Sequence, residues 1–366
     1  MLEVPVESFG LAGRHSDMPR SESRSGGTGP NKVVPIAVER EGSVQRRELL
    51  SGLVGLAGLS ALPTSGVDYA ERVGSARAVQ SVRIRLRQAR TDFDACRYSE
   101  VAAVVPDIVS LGHHLLDELP SGYRREQLSA ALADGYCLAS FLADKLGDYG
   151  LAWIMADRAR THAQSSGEST SLATSAREAA VATRRAGYLD DAVRLLIATA
   201  DSLPAGSSDD LASRGCLLLT AAYTQAQNGR GAEAMELVAD ARDVTSYLPR
   251  NWPSNAVCTP TQVSVYAVGV HNALGNYAEA LKSSRSISLA ALPTVERRVK
   301  VCLDVARAHL GCGNAASGFE VLKTVERLAP EDARRPSIRH LLRQLLELRG
   351  AHPTGLVAMA RRSGAI

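Results

Sequence analysis

One pattern constrains this chain more than any other: a glycine followed two places on by a small, aromatic or aliphatic residue, and five places on by a small one. Gly147-Asp-Tyr149 leads to Ala152, Gly187-Tyr-Leu189 to Ala192, Gly229-Arg-Gly231 to Ala234, Gly275-Asn-Tyr277 to Ala280 and Gly313-Asn-Ala315 to Gly318. The glycines recur at intervals of 40, 42, 46 and 38 residues, and Cys96-Arg-Tyr98 with Val101 reads as a sixth, degenerate copy in which Cys replaces the glycine. Self-similarity at this period means a stack of like supersecondary units, each unable to bury its apolar face without its neighbours.

The unit is a helical hairpin. Glycine ends the first helix because it tolerates the left-handed backbone of a tight inter-helix turn. The small residue five places later then lets the second helix approach the first. Ser140, Ala180, Ala222, Val268 and Ala306 stand seven residues before the glycines and are expected where the paired helices cross. Pro204, Pro249, Pro293 and Pro330 close several units, since a proline cannot continue the second helix. Segments 163–171, 205–210 and 251–261 are expected to be extended helix ends or loops. Residues 337–349 place Ile338, Leu341, Leu342, Leu345 and Leu346 on one side and Arg339, Arg343, Gln344 and Glu347 on the other, an amphipathic helix expected to seal the exposed end of the stack.

Composition agrees with helices. Apolar residues make up 45% of the chain and aromatic residues only 4%, which supplies a core while disfavouring sheet. The 42 basic and 39 acidic side chains are too balanced for the whole chain to be an electrostatic nucleic-acid binder. None of Cys96, Cys137, Cys216, Cys258, Cys302 and Cys312 lies in a C-x-x-C pair or beside a histidine at metal-ligand spacing. They read as small apolar residues, buried filler in the case of Cys216 and Cys302, and their usage fits a reducing cytoplasm.

Residues 1–45 mix both charges with Pro, Gly and Ser and show no amphipathic period, so a disordered tail is expected there. The fragment Gly26-Gly-Thr-Gly-Pro-Asn-Lys32 is no phosphate loop, because Asn31 and Val33 stand where glycine and a hydroxyl residue are needed. Arg46-Arg47 then precedes an apolar run ending at Pro63. Residues 46–63 read either as a twin-arginine export signal or as a short apolar helix docked on the start of the array. The run is too short and glycine-rich for a stable membrane span of about twenty residues. The long preceding tail, the absence of an A-x-A pattern after Pro63 and the unpaired cysteines weigh against export.

Catalytic signatures are missing. The sequence holds no G-x-S-x-G elbow, H-E-x-x-H, dinucleotide fingerprint or phosphate loop. His113 and His114 are neighbours on a helix, point about 100° apart and are expected to be exposed rather than to share a metal. His271 and His309 each stand four residues before a repeat glycine, which argues for a packing role. The expectation is a non-enzymatic chain with no catalytic residues, no cofactor and no metal.

The repeat pattern resembles the tetratricopeptide family, in units four to twelve residues longer than that family's usual length of about 34. The resemblance implies an all-α, tetratricopeptide-like right-handed solenoid of about six helical hairpins plus a C-terminal capping helix, spanning residues 76–350 and followed by a tail at 351–366. It also implies a concave face lined by the first helix of each hairpin. On that face the ligand-binding residues would be Arg83, Arg90, Phe141, Arg177, Arg184, Tyr223, Asn272 and Arg307. Positions one turn earlier, Cys137, Leu219, Val265 and Leu303, and Leu86 and Phe93 of the degenerate unit, would join them. Such a face suits an extended peptide or a protein tail. The layout of Arg46 to Pro63 followed by an Ala-rich array also resembles actinobacterial regulators of the xenobiotic-response-element type. That resemblance implies the sensory or interaction half of a cytoplasmic transcriptional regulator. Residues 1–45 hold no helix-turn-helix, so no direct DNA binding is expected from this chain, nor stable membrane insertion. Homodimerisation is left open. The alternative is a scaffold without regulatory role, exported by the twin-arginine-like segment.

Overall fold

The computed structural model describes residues 75–204, 206–253, 258–348 and 352–366. The expected tail at 1–45 and apolar segment at 46–63 lie outside them. Among the described residues every regular element is a helix. Six hairpins follow one another: α1 (Ser75–Asp94) with α2 (Tyr98–Glu118), α3 (Tyr123–Leu146) with α4 (Tyr149–Ser166), α5 (Ser169–Arg185) with α6 (Leu189–Ser202), α7 (Ser208–Gln227) with α8 (Gly231–Ser246), α9 (Pro260–Ala273) with α10 (Tyr277–Ser284), and α11 (Val295–Gly311) with α12 (Ala315–Leu328). A 3-10 turn, Asp332–Arg334, leads to α13 (Pro336–Glu347) and α14 (Leu356–Ser363).

The recurrent glycines sit where the pattern requires. Gly147, Gly187, Gly229, Gly275 and Gly313 all have positive φ, between 75° and 95°, and Cys96 occupies the equivalent turn at φ 60°. The hydrogen bonding is the same in every copy. The N–H of Gly147 meets the carbonyl of Asp144 and that of Asp148 the carbonyl of Ala143; in the degenerate copy Cys96 meets Phe93 and Arg97 meets Asp92. Each turn thereby satisfies two carbonyls that a helix end would leave without partners.

Small residues then decide how close the two helices of a hairpin come. Ala152, Ala192, Ala234 and Ala280 are buried, as are Ser140, Ala180, Ala222, Val268 and Ala306 seven places before the glycines. Ser140 Oγ donates to the Ala152 carbonyl at 2.9 Å, tying the two crossing positions together directly. At Gly318 a Cβ would lie 2.2 Å from Leu310 Cδ1, so even alanine would need that side chain to move. Side-chain caps set where several first helices begin: Ser207 accepts from the Asp210 N–H, Thr259 from Gln262 and Thr294 from Arg297. First helices pack on one another from α1 through α11 and form the inner layer.

The C-terminal region departs from the expected open stack in two ways. Residues 351–366, expected as a tail, contain α14, whose Leu356, Met359 and Ala360 are fully buried. Arg339 and Arg343 of α13 reach the carbonyls of Ser363 and Ala365, and Arg362 pairs with Glu326 of α12. Secondly, α13 does not cap an exposed end, because the last hairpin meets the first. Ser99 donates its backbone N–H and hydroxyl to Glu331 at 2.9 and 2.8 Å. Tyr98 OH donates to Asp332 Oδ2 at 3.1 Å, and Arg335 Nη1 holds Asp332 Oδ1 at 2.7 Å. Lys145 pairs with Glu296, and one apolar cluster runs through Phe93, Tyr98, Cys302, Phe319 and Leu342. Burial beside Asp332 pushes the Cys96 thiol up to about 12, so it stays protonated in this joint. The repeat period encodes each hairpin and carries no information about where the superhelix returns to its start.

Candidate functional site

The inner layer brings the predicted side chains onto one face. Arg90 and Arg177 stack on Phe141 from 5.4 and 5.3 Å, and Arg184 and Lys300 lie over Tyr223 at 5.1 and 5.7 Å. Two aromatic rings on successive inner helices are thus each flanked by two cations, an arrangement worth about 0.5–2 kcal/mol per contact depending on desolvation. Arg83 is exposed on α1, close enough to act on the Asp134 carboxyl.

Most of the positive charge is internally compensated. Arg90 pairs with Asp94, Arg177 with Glu178, Arg185 with Asp144, and Lys300 and Arg307 share Asp304. Arg184 differs: its Nη1 donates to Thr224 Oγ1 at 3.1 Å and no carboxylate lies within ion-pair distance. Asn272 needs a correction as a ligand residue, because its Nδ2 is committed to the Asp304 carbonyl at 2.7 Å; only its Oδ1 lacks a partner. The positions one turn earlier are also corrected. Cys137, Leu219, Val265 and Leu303 are buried core, as are Leu86 and Phe93, since at that height the inner helices press against their own partners.

Residues that the sequence did not flag complete the face: Asp134, Asp144, Lys145, Glu178, Arg185, Glu296, Lys300 and Asp304. A usable signal was complementary chemistry about one repeat apart, as in Asp144 with Arg185, 41 residues on, or Arg184 with Thr224, 40 on.

Their ionisation follows from burial set against partners. Burial alone would raise Asp144, yet the Arg185 guanidinium holds it below the usual carboxylate range. Glu296 is likewise desolvated, and Lys145 overrides that and brings it down to about 2. At Glu178 burial wins: only 3% of the residue is exposed, its Oε1 lies 3.1 Å from Arg177 without hydrogen-bond geometry, and its pKa rises to about 7. A carboxyl with a raised folded-state pKa stabilises the fold while protonated. That contribution is present below 4.5 and lost as pH rises through about 7. Glu178→Gln is therefore expected to gain stability relative to wild type across that window, by about 3 kcal/mol at its upper end. Urea unfolding of both chains at several pH values measures this, and a gap that stays constant with pH would contradict it.

The histidine pair diverges. His114 lies 3.4 Å from Glu118 on its own helix. His113 is half-buried rather than exposed: its Nε2 is 2.7 Å from Tyr136 OH, and His162 stacks on the same tyrosine with ring centroids 5.5 Å apart. Burial lowers both imidazoles, His162 to about 4. His271 and His309 are half-buried at repeat-equivalent positions.

Nothing on the inner face between α3 and α5 resembles a small-molecule cavity. The hollow between Asp144, Glu178 and Arg185 measures about 10 Å³, room for one water at most, against the several hundred Å³ typical of ligand pockets. No cluster of three metal-ligating side chains occurs among the described residues, and no helix there is long and apolar enough to cross a membrane. Cys216 and Cys302 are buried, as expected; Cys312 is exposed.

No family model and no curated protein matches this chain. Among solved structures, it is similar to a kinesin light chain with nearly identical TPR-like repeats from Podosopora anserina and to a point variant of the same protein. Each match has 20% identity and a TM-score of 0.34, and covers 55% of this chain and 95% of the other. A likeness at that score carries no weight for function.

Proposed function

We propose that the chain is a non-enzymatic interaction module whose inner face binds an extended segment of a partner protein. The observation that supports this reading is the row of aromatic rings flanked by cations on consecutive inner helices. These cations are still reachable by water: the side chains of Arg177, Arg307 and Lys300 are 24%, 32% and 41% exposed. With little enclosed volume beside it, that row favours a ligand that lies along the helices. By its resemblance to xenobiotic-response-element regulators, the module would serve as the sensory half of a cytoplasmic transcriptional regulator, with DNA contact made elsewhere.

A photo-crosslinking amino acid tests the face. Asp134 lies on the inner helix α3, open to water yet near Arg83 and Arg90, whereas Arg194 is 76% exposed on the outer helix α6. Placed at position 134 the crosslinker is expected to trap a partner through a short peptide stretch, and at position 194 to trap none. Equal trapping at both positions would remove the inner-face reading.

A further inference from the structure

We infer that Arg184 and Lys300, set around the Tyr223 ring, form a subsite for a single carboxylate on the inner face. This deepens the peptide-binding reading and rests on it for the source of the carboxylate. Around Tyr223 three cations, Arg184, Lys300 and Arg307, answer to one carboxylate, Asp304, and Asp304 is fully engaged by the other two. Arg184 is left uncompensated, in contrast to Arg90, Arg177, Arg185 and Arg335, each of which holds an acidic partner.

Its orientation is fixed. Thr224 Oγ1 gives its own proton to the Thr220 carbonyl at 2.8 Å and so can only accept from Arg184, which aligns one edge of the guanidinium while Tyr223 supports its plane. The remaining N–H groups of the fork are spaced to take a carboxylate with two parallel bonds. Gly269 keeps the adjoining floor clear, since a Cβ there would stand 3.4 Å from the Tyr223 ring and 3.5 Å from Asp304. The electrostatics agree: burial disfavours the charge on Arg184, while its neighbour Arg185, equally crowded but paired with Asp144, is stabilised as a cation. An acidic side chain of an extended peptide supplies the missing counter-charge, and Asp304 and Asp144 nearby disfavour a second negative charge beside it.

The test uses the whole chain with N-acetylglutamate α-amide as the probe and its glutamine counterpart as the neutral control. In thermal unfolding at matched ionic strength, the glutamate probe is expected to raise the wild-type midpoint saturably and the glutamine probe to leave it unchanged. Arg184→Gln is expected to abolish the response without lowering the starting midpoint, because it removes an uncompensated cation. If Arg184→Gln does not fold, the inference is overturned, since that outcome would make Arg184 a structural residue. Lys300→Met, which leaves Arg307 on Asp304, gives an independent reading and should weaken the response about tenfold. A response identical in wild type and both variants overturns the subsite. Labelled peptides alternating Gly with Glu or with Gln form the second arm: Arg184-dependent binding of the Glu peptide supports both readings. An Arg184-dependent probe response with no binding of either peptide supports the subsite and removes the peptide reading.

Discussion

Replacing Asp332 by Ala is expected to cost about 3–5 kcal/mol of unfolding free energy, the range for breaking a buried ion pair from one side. Asp332 is completely buried, holds Arg335 at 2.7 Å and accepts the Tyr98 hydroxyl at 3.1 Å. Its removal strands a guanidinium that is only 11% exposed and a phenol that is almost wholly buried. The same change withdraws the main polar contact between the first and last hairpins, so the loss should appear as weaker end-to-end docking as well as lower stability. Denaturant unfolding followed by circular dichroism measures the first effect, and a cost under about 1 kcal/mol would mean that the joint is incidental.

A second large effect is expected at a helix crossing. Ala222 is fully buried on α7, seven residues before Gly229, in the cluster that holds Ala234 and Val238 of its partner α8. Leucine there must push the two helices apart, at a cost of about 1–3 kcal/mol for overpacking a tight core. Alanine 103 on α2 is exposed, and the same change there should stay within about 0.5 kcal/mol. Equal effects at the two positions would contradict the crossing geometry. Calorimetric unfolding of both variants separates these outcomes.

These two sites also show what the sequence discloses and what it hides. Ala222 was legible because the hairpin repeats: one physical demand, close approach of two helices, recurs every forty residues or so and leaves the same small residue each time. Even the degenerate copy was legible, since Cys96 adopts the positive φ that the pattern assigns to glycine. Asp332 was not legible. It lies after the last repeat glycine and finds its partner Tyr98 234 residues away, a distance set by the accumulated twist of all six hairpins rather than by any local signal. The helix at Leu356–Ser363 was missed for a related reason: with eight residues it carries too short a pattern to stand out, and its burial depends on α12 and α13.

The inner face divides along the same line. Which helix each residue occupies followed from phase, so Arg90, Phe141, Arg177, Arg184 and Tyr223 gather as the repeat implied. Which of them keep free hydrogen-bonding capacity did not follow, because that depends on partners contributed by the next unit: Asp304 claims Asn272 and Arg307, while no carboxylate reaches Arg184.

Closure of the array is the claim that most of this rests on, and a distance between its ends tests it directly. Glu100 on α2 and Arg327 on α12 are exposed and flank the contact between Ser99 and Glu331. With Cys312 changed to Ser, spin labels on Glu100→Cys and Arg327→Cys should give, by pulsed electron-electron resonance, a single narrow distribution at short range. A broad distribution at long range would show an open superhelix whose ends do not meet.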